Sequence, residues 1–423
     1  MPIINIKEQI EVSTSVNNVS DIPLIISTFN KSEKSVAEGD KKVNDIFPRE
    51  YTNLSSFELD IPTCPSTSVE ELTVYDTAYI MAVELLNAGM PVYYAYLEDI
   101  ISEKHGKEVR SFITDKNEMT IKFMCIPDMN TLIFGDDKNS EHLNIKKTIL
   151  EMCANRGDCT FLIDCERAFD YTTITAVQDA LSLEKTGDVM EPNNAYAAAF
   201  VPWYNYNLTK GYVEKKNDPR VRKAALPGSY AYLRTLVENI RTTNNWLAMA
   251  GISRGAVPGI LTPIVANNRK ITNTVANTLQ PMETTDLTFA VNAITEIKPY
   301  GPVIWGNRTI QAIEKDKVLS ASHFLNIRNM ISDIKKRVYD VCKTLMFDQM
   351  DEILWLNFLS GVTPYLDRLK SGAGISEYKL IKKPTDKSAK ATLEAEIIIY
   401  PLNAVEAFTI TIVAAESEVK TEE

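Results

Sequence analysis

The sequence predicts a mixed α/β (α+β) fold built as more than one domain. Three observations carry that expectation. From residue 74 onward, short apolar runs of strand type alternate with stripes of helical period. Two long amphipathic helices follow one another late in the chain. Both ends of the chain read as extended strands set apart by polar or proline-bearing sequence. At 423 residues there is room for two or three domains.

The elements run as follows. Ile4, Ile6, Ile10 and Val12 alternate onto one face of a first strand, interrupted by Glu8. The polar stretch SVNNVSD separates it from IPLIIST, a short apolar strand, and residues 30–70 read as irregular. Tyr75, Tyr79, Ala82 and Leu86 form a helical stripe that Gly89 ends. PVYYAYL and IKFMCI are strands, and a helix over 143–155 carries Ile145, Ile149 and Met152 on one side. FLIDC is the next strand, followed by a helix over 172–184 and by AYAAAFVPWY, a buried strand closed by Pro202. This alternation places helices on a sheet. Residues 227–251 read as one long helix entered through Pro227-Gly228-Ser229. GPVIWGNRTI is an apolar strand broken by Gly306.

In the helix over 323–345, apolar residues at 327, 331, 334, 338, 341 and 345 mark one buried face, and Lys335, Lys336, Arg337 and Lys343 mark the other. The next helix, 351–369, buries Leu354, Phe358, Val362 and Leu366; Pro364 is expected to bend or divide it, and Gly372 and Gly374 end it. Two strands close the chain, 391–401 and 407–415, the latter with Phe408, Ile410 and Ile412 on one face. The tail ESEVKTEE is charged and expected to be disordered.

The composition excludes several classes. A net charge of −11 argues against a nonspecific nucleic-acid binder. No apolar run is long enough to span a membrane, and MPIINIKEQIEVSTS has no basic region leading into an apolar core, so no secretory signal is expected. None of the six cysteines forms a Cys-x-x-Cys pair, and none of the three histidines has a metal-type partner at helical spacing. Buried free thiols, no metal and no cofactor are expected. Asp164 sits at a strand end, where a catalytic acid is found in some α/β folds, but a turn or cap role is the plainer reading.

The stretch AGISRGAVPG sets Gly251, Gly255 and Gly259 at equal intervals. Phosphate binding is disfavoured there. No Lys-Ser or Lys-Thr follows the last glycine, and Pro258 and Pro263 remove a donor and bar a helix. A loop with backbone sites that glycine fits best remains.

Beyond these readings, six segments in order resemble the contractile-tail sheath family of myovirus-type phages and related contractile injection systems. AYAAAFVPWYNY is similar to its "Ala-x-Tyr-x-Pro-Trp" strand, with Trp203. PGSYAYLRTLVENIRTTNNWLAMAGISRGAVPG resembles its turn, helix and glycine loop, with Trp246, Gly251 and Gly255. LTFAVNAITEIKPYGPVIWGNRTI resembles the "Trp-Gly-x-Arg-Thr" signature, with Trp305, Gly306, Arg308 and Thr309. HFLNIRNM keeps Arg328 and has Asn329 where the family has a second arginine. MFDQMDEILW keeps Phe347 and Trp355, and IIIYPLNAVEAFTITI keeps Pro401 and Glu406. NRGDCTFLIDC is similar to a weaker upstream segment, although the proline after Asp164 is missing, and residues 30–145 match poorly.

The resemblance implies a non-enzymatic subunit that stacks as six-membered rings around an inner tail tube and contracts to drive the tube through a cell envelope. It implies homo-oligomers, tube, baseplate and tail-terminator partners, no direct nucleic acid, no membrane insertion, and a place in a particle tail assembled in a bacterial cytoplasm. Its domain division here is 1–22, an arm donated to a neighbour; 23–194, an α/β region with a variable outer part; 195–400, the conserved sheath core; and 401–423, a closing arm and acidic tail. Ile4, Ile6, Ile10 and Val12, and Phe408, Ile410 and Ile412, are the expected arm strands, hinged at 17–21 and 402–404. Lys335, Lys336 and Arg337 are candidate tube-facing residues, with a solvated helix face as the plainer reading. Two alternatives remain: a nucleotide-binding α/β enzyme using Asp164 and the glycine loop, and a static shell or surface-layer protein.

Overall fold

The computed structural model describes residues 22–29, 45–61, 77–127, 129, 138–165, 192–207, 223–240, 243–264, 271–281, 289–311, 313, 319–383 and 392–404. Eight strands form one mixed sheet: β1 (Pro23–Ser27), β2 (Arg49–Tyr51), β3 (Val92–Tyr96), β4 (Phe123–Cys125), β5 (Thr160–Asp164), β6 (Ala197–Val201), β10 (Asn292–Ile297) and β11 (Gly301–Trp305). Their spatial order is β11-β10-β6-β5-β4-β1-β3-β2. The six strands from β10 to β3 run parallel, and the outermost pair at each end is antiparallel.

The strands read as continuous apolar runs because both faces of the sheet are covered. Leu24, Ile26, Met124, Phe161, Ile163, Ala197 and Ala199 share one core with α3 (Leu97–Ile101), α4 (Gly106–Thr114), α5 (Lys138–Arg156) and α8 (Asn273–Thr278). Ile25, Phe123, Cys125, Leu162, Ala198 and Phe200 share a second core with α1 (Leu54–Asp60), α2 (Thr77–Asn87) and α6 (Gly228–Ile240). The period-2 alternation of side chains along each strand divides the two cores. A three-stranded sheet, β8 (Lys223–Leu226), β7 (Trp203–Asn207) and β9 (Ile260–Ile264), continues from the second face.

A C-terminal unit carries the third core. It consists of α9 (Leu325–Leu345), α10 (Glu352–Ser371) and an antiparallel hairpin, β12 (Ile375–Lys382) with β13 (Ala395–Pro401). The two helices approach closely at Gly361, where an added Cβ would lie 2.8 Å from Val341 Cγ1.

Several expectations hold. Ile145, Ile149 and Met152 are buried, as are 327, 331, 334, 338 and 341 on α9. Gly89 ends α2 with φ of 87°. Cys125, Cys153, Cys159 and Cys165 are free and buried.

Others are corrected. The helix expected over 227–251 stops at Ile240. Residues 243–250 form turns and bends, and Asn239 Nδ2 donates to Arg254 O at 2.9 Å, which ties the returning chain back to the end of α6. Residues 30–70 are not irregular throughout, because β2 and α1 fall there, anchored by Tyr51 and Phe57 in edge-to-face contact. Pro364 does not divide α10; it sits exposed within a continuous helix, and Leu354 is only half-buried. The polar segment before GPVIWGNRTI contributes β10, and β12 was not anticipated. The boundary placed at 194/195 falls inside the large sheet, since β6, β10 and β11 pair into the same sheet as β1 to β5. The helix expected over 172–184, Cys64, and the arm strands of Ile4, Ile6, Ile10, Val12, Phe408, Ile410 and Ile412 lie outside the described residues, as does Glu406.

Candidate assembly surfaces

The glycine loop closes one edge of the large sheet. Ile304 N–H on the edge strand β11 donates to Gly255 O at 2.7 Å, and Val257 N–H donates to Pro302 O at 3.3 Å. Ala256 bridges Val303. A Cβ at Gly255 would stand 2.7 Å from both Gly251 O and Ile304 O, so only glycine lets the loop lie this close. The loop opens with a short helix, α7 (Gly251–Arg254), and Gly251 and Gly259 both have φ of 75°, the left-handed region. The loop's backbone groups are therefore spent on β11, and the glycines serve chain geometry, as the sheath resemblance implies.

Asp164 is committed in the same way. Its Oδ1 accepts from Ser229 N at 2.8 Å, and its Oδ2 accepts from Ser229 Oγ at 2.5 Å, which caps α6 from the end of a neighbouring strand. Gly228 lets the turn reach that position, since a Cβ there would meet Phe200 Cβ at 2.6 Å. A carboxylate used as a cap fits the plainer reading of this residue.

The residues that carried the resemblance mostly hold segments together. Trp203 is buried and its Nε1 donates to Cys165 O at 2.9 Å. Asn292 accepts from Arg308 N at 2.8 Å through Oδ1, and its Nδ2 donates to both Arg308 O and Ala199 O, pinning the Gly306–Arg308 turn to β6. Arg308 is fully buried with its guanidinium over the Phe324 ring, and Thr309 Oγ1 donates to Ser322 O. Trp305 donates to Asn277 Oδ1. Arg328 is fully buried over Tyr196, 4.4 Å from the ring centroid. Asn329 links Thr160 and Tyr232 by hydrogen bonds of 3.2 and 2.7 Å, so the departure from a second arginine leaves a satisfied contact. Trp246 donates to Gly372 O at 2.9 Å and fills the space left by Gly372 and Gly374, while Trp355 stacks on Phe358. Phe347 differs: it is 85% exposed and has φ of 73°, an unusual backbone for a bulky residue.

The basic face of α9 needs correction. Lys335 and Lys336 are buried, at 7% and 6% exposure, so neither is a solvated nor a tube-facing residue in this structure. Of the three candidates only Arg337 is exposed, over the Tyr365 ring. The reason lies in α9 itself. Asn326, Asn329, Asp333 and Lys336 recur at helical spacing and form a second, polar face that packs on the sheet. That polar stripe was the available signal, and charge alone concealed it. Lys122 Nζ pairs with Asp333 Oδ2 at 2.9 Å, joined by Asn245 Nδ2, and Lys335 Nζ donates to Tyr196 Oη at 3.3 Å.

Two surfaces are left open. Among the described residues, neither outer edge of the β12–β13 hairpin pairs with another strand. One face of the hairpin rests on α10 through Ile375 and Ile399, and Ile381, Tyr400 and Leu402 are exposed. Pro401 closes β13. Beside the hairpin, where Lys382 pairs with Glu352, an apolar strip of Phe347, Met350, Ile353 and Leu356 faces outward. No group of metal-binding type occurs among the described residues.

Comparison with known proteins places this geometry. No family model matches the chain. A segment of 254 residues, 59% of the chain, is 23% identical to the tail sheath protein of Vibrio phage KVP40 and spans 33% of that protein's length. A chain of the anti-feeding prophage baseplate superimposes with a TM-score of 0.63 at 15% identity, covering 98% of this chain and 99% of that one. A chain of the PVC sheath complex of an extracellular contractile injection system, in its contracted state, gives 0.62 at 13% identity, with 98% of each chain covered. A sheath tail protein from Listeria innocua gives 0.51 at 7% identity, over 93% and 94%. The expected sheath resemblance and the mixed α/β sheath fold are borne out.

Proposed function

We propose that this chain, which has the fold of contractile sheath subunits, is itself the polymerising subunit of such a sheath. Copies stack as six-membered rings around an inner tube, and the stack shortens to drive the tube through a cell envelope. The observation that carries this reading is the open hairpin. Bare strand edges template pairing with another chain. A subunit that must rotate and slide without separating needs such an acceptor, and β12–β13 offers two edges.

The donors are the chain's own ends, residues 1–16 and 407–415, supplied by neighbouring copies. A donated strand making a few ladder bonds, each worth about 0.5–1.5 kcal/mol net, and burying isoleucines or phenylalanines worth about 1.5–3 kcal/mol each, forms a firm link. The apolar strip beside the hairpin is covered in the same assembly. Inner tube, baseplate and terminator proteins are the remaining partners, and the particle tail is the location. The role is structural rather than enzymatic, a reading supported by Asp164 serving as a helix cap and by the glycine loop closing a sheet edge.

Electron microscopy of the purified full-length chain, alone and with its cognate tube protein, tests the proposal. Striated tubes with six-fold end views are expected, and removal of residues 1–16 is expected to abolish them while leaving a folded monomer. Normal tubes from the truncated chain would refute strand donation. A single unchanging lattice under all conditions would favour the static-shell alternative.

A further inference from the structure

The seam between α9 and the large sheet contains a charge that the described residues around it do not balance. Two ion pairs are buried there. Lys122, which precedes β4, pairs with Asp333 on α9 at 2.9 Å, both side chains 1% exposed. Arg156, at the end of α5, pairs with Asp158 at 2.7 Å, again with both side chains 1% exposed. Arg156 is held further by donating to Ile113 O and Met119 O. Each carboxylate thus already has its own cation.

Lys336 enters this cluster as a third cation. Its side chain is buried, and its Nζ finds no hydrogen-bond partner among the described residues. The charges that act on it are Asp158 and Asp333, which favour its ionised form, and Lys122 and Arg156, which oppose it. Lys335 is its neighbour on the helix, with Tyr196 as partner, and Lys116 reaches Asp158 and Arg156 from the loop after α4. Two carboxylates face more cations than they can neutralise. Burying an ammonium ion without dedicated partners is costly.

We propose that Lys336 is a surplus buried cation that holds the α9–sheet seam below its attainable strength, making the seam a proton-sensitive joint between the sheet and the C-terminal unit. Burial pushes the Lys336 ammonium below its ordinary 10.5. The unfolded chain therefore binds more protons than the folded one in the window just below 10.5. The penalty is complete at pH below the lowered value, shrinks as pH rises through the window, and is gone above 10.5. Alkaline conditions tighten the seam. Because α10 and the β12–β13 hairpin hang on α9, the seam sets how stiffly the open hairpin is held; that consequence alone rests on the sheath proposal.

The test uses the full-length chain as a monomer, so its outcome is separable from any failure of assembly. Thermal unfolding is followed from pH 7.5 to 9.5 for the wild type, Lys336→Met and Lys336→Gln. Lys336→Met is expected to raise Tm at pH 7.5, by about 1 °C per kcal/mol recovered in a chain of this length, and to flatten the rise of Tm with pH. Lys336→Gln is expected to flatten it too. Amide exchange in α9, corrected for intrinsic rates, is expected to slow in Lys336→Met and to stay unchanged in β5 and β6. A lower Tm with an unaltered pH slope, or failure of both variants to fold, would overturn the proposal, since either result makes Lys336 a needed partner rather than a surplus charge.

Discussion

The large sheet and the small hairpin are built from the same kinds of strand but end differently. At β11 the large sheet is closed by the glycine loop, whose Gly255 O takes the Ile304 N–H. At its other side the sheet tapers into β2, three residues long. Both devices are ways of blunting an edge. The β12–β13 hairpin has no such cover among the described residues, although its strands, at eight and seven residues, are longer than any other described strand. Among the described residues, the longest edge is the one left bare. In the proposed assembly this difference separates the part of the molecule that keeps its own shape from the part available to a neighbour.

This contrast can be broken in a graded way. The largest effect is expected at the joint between the two regions. Trp246 is the pillar on which Gly372 and Gly374 rest, and Trp246→Ala should cost about 3–5 kcal/mol by leaving a cavity. Chemical denaturation should show it, with the hairpin amides losing protection first. Sealing of the sheet edge comes next. Gly255→Ala places a Cβ against two carbonyl oxygens and should cost about 1–3 kcal/mol, with aggregation through the exposed β11 edge seen by light scattering. Gly251→Ala is the control in the same loop. It meets nothing within 4 Å but keeps φ of 75°, so the cost is conformational, about 1 kcal/mol, with the edge still closed. Equal behaviour of the two variants would mean that the loop does not protect the edge.

Much of this architecture was legible in the sequence where one physical signal dominated. PLIIS, VYYAY, TFLID and AAAFV are continuous apolar runs because both faces of their sheet are covered. The apolar face of α9 followed from its spacing. The glycine loop could be read as geometry rather than phosphate chemistry, but its target, β11, lies some fifty residues away in the chain, and no local pattern names it.

Two of the misreadings share one cause: a charged side chain is a poor sign of solvent. Lys335 and Lys336 face Tyr196, Asp158 and Asp333, two of which are far away in sequence. In β12 the charges of SEYKLIK hide its alternation, because Glu377, Lys379 and Lys382 are exposed while Tyr378 and Leu380 pack inward. The long helix expected to 251 overran because apolar residues continue past its end, and Trp246 and Leu247 belong to the third core rather than to α6.

In the proposed assembly the hairpin is an acceptor and the large sheet is not. Amide hydrogen exchange, residue by residue, in the monomer and in assembled tubes, tests it most directly. The outward N–H groups of β12 and β13 are expected to exchange quickly in the monomer and become strongly protected on assembly, while β11 and the glycine loop are protected equally in both. Tubes that form with no change at β12 and β13, or with new protection along β11, would contradict it.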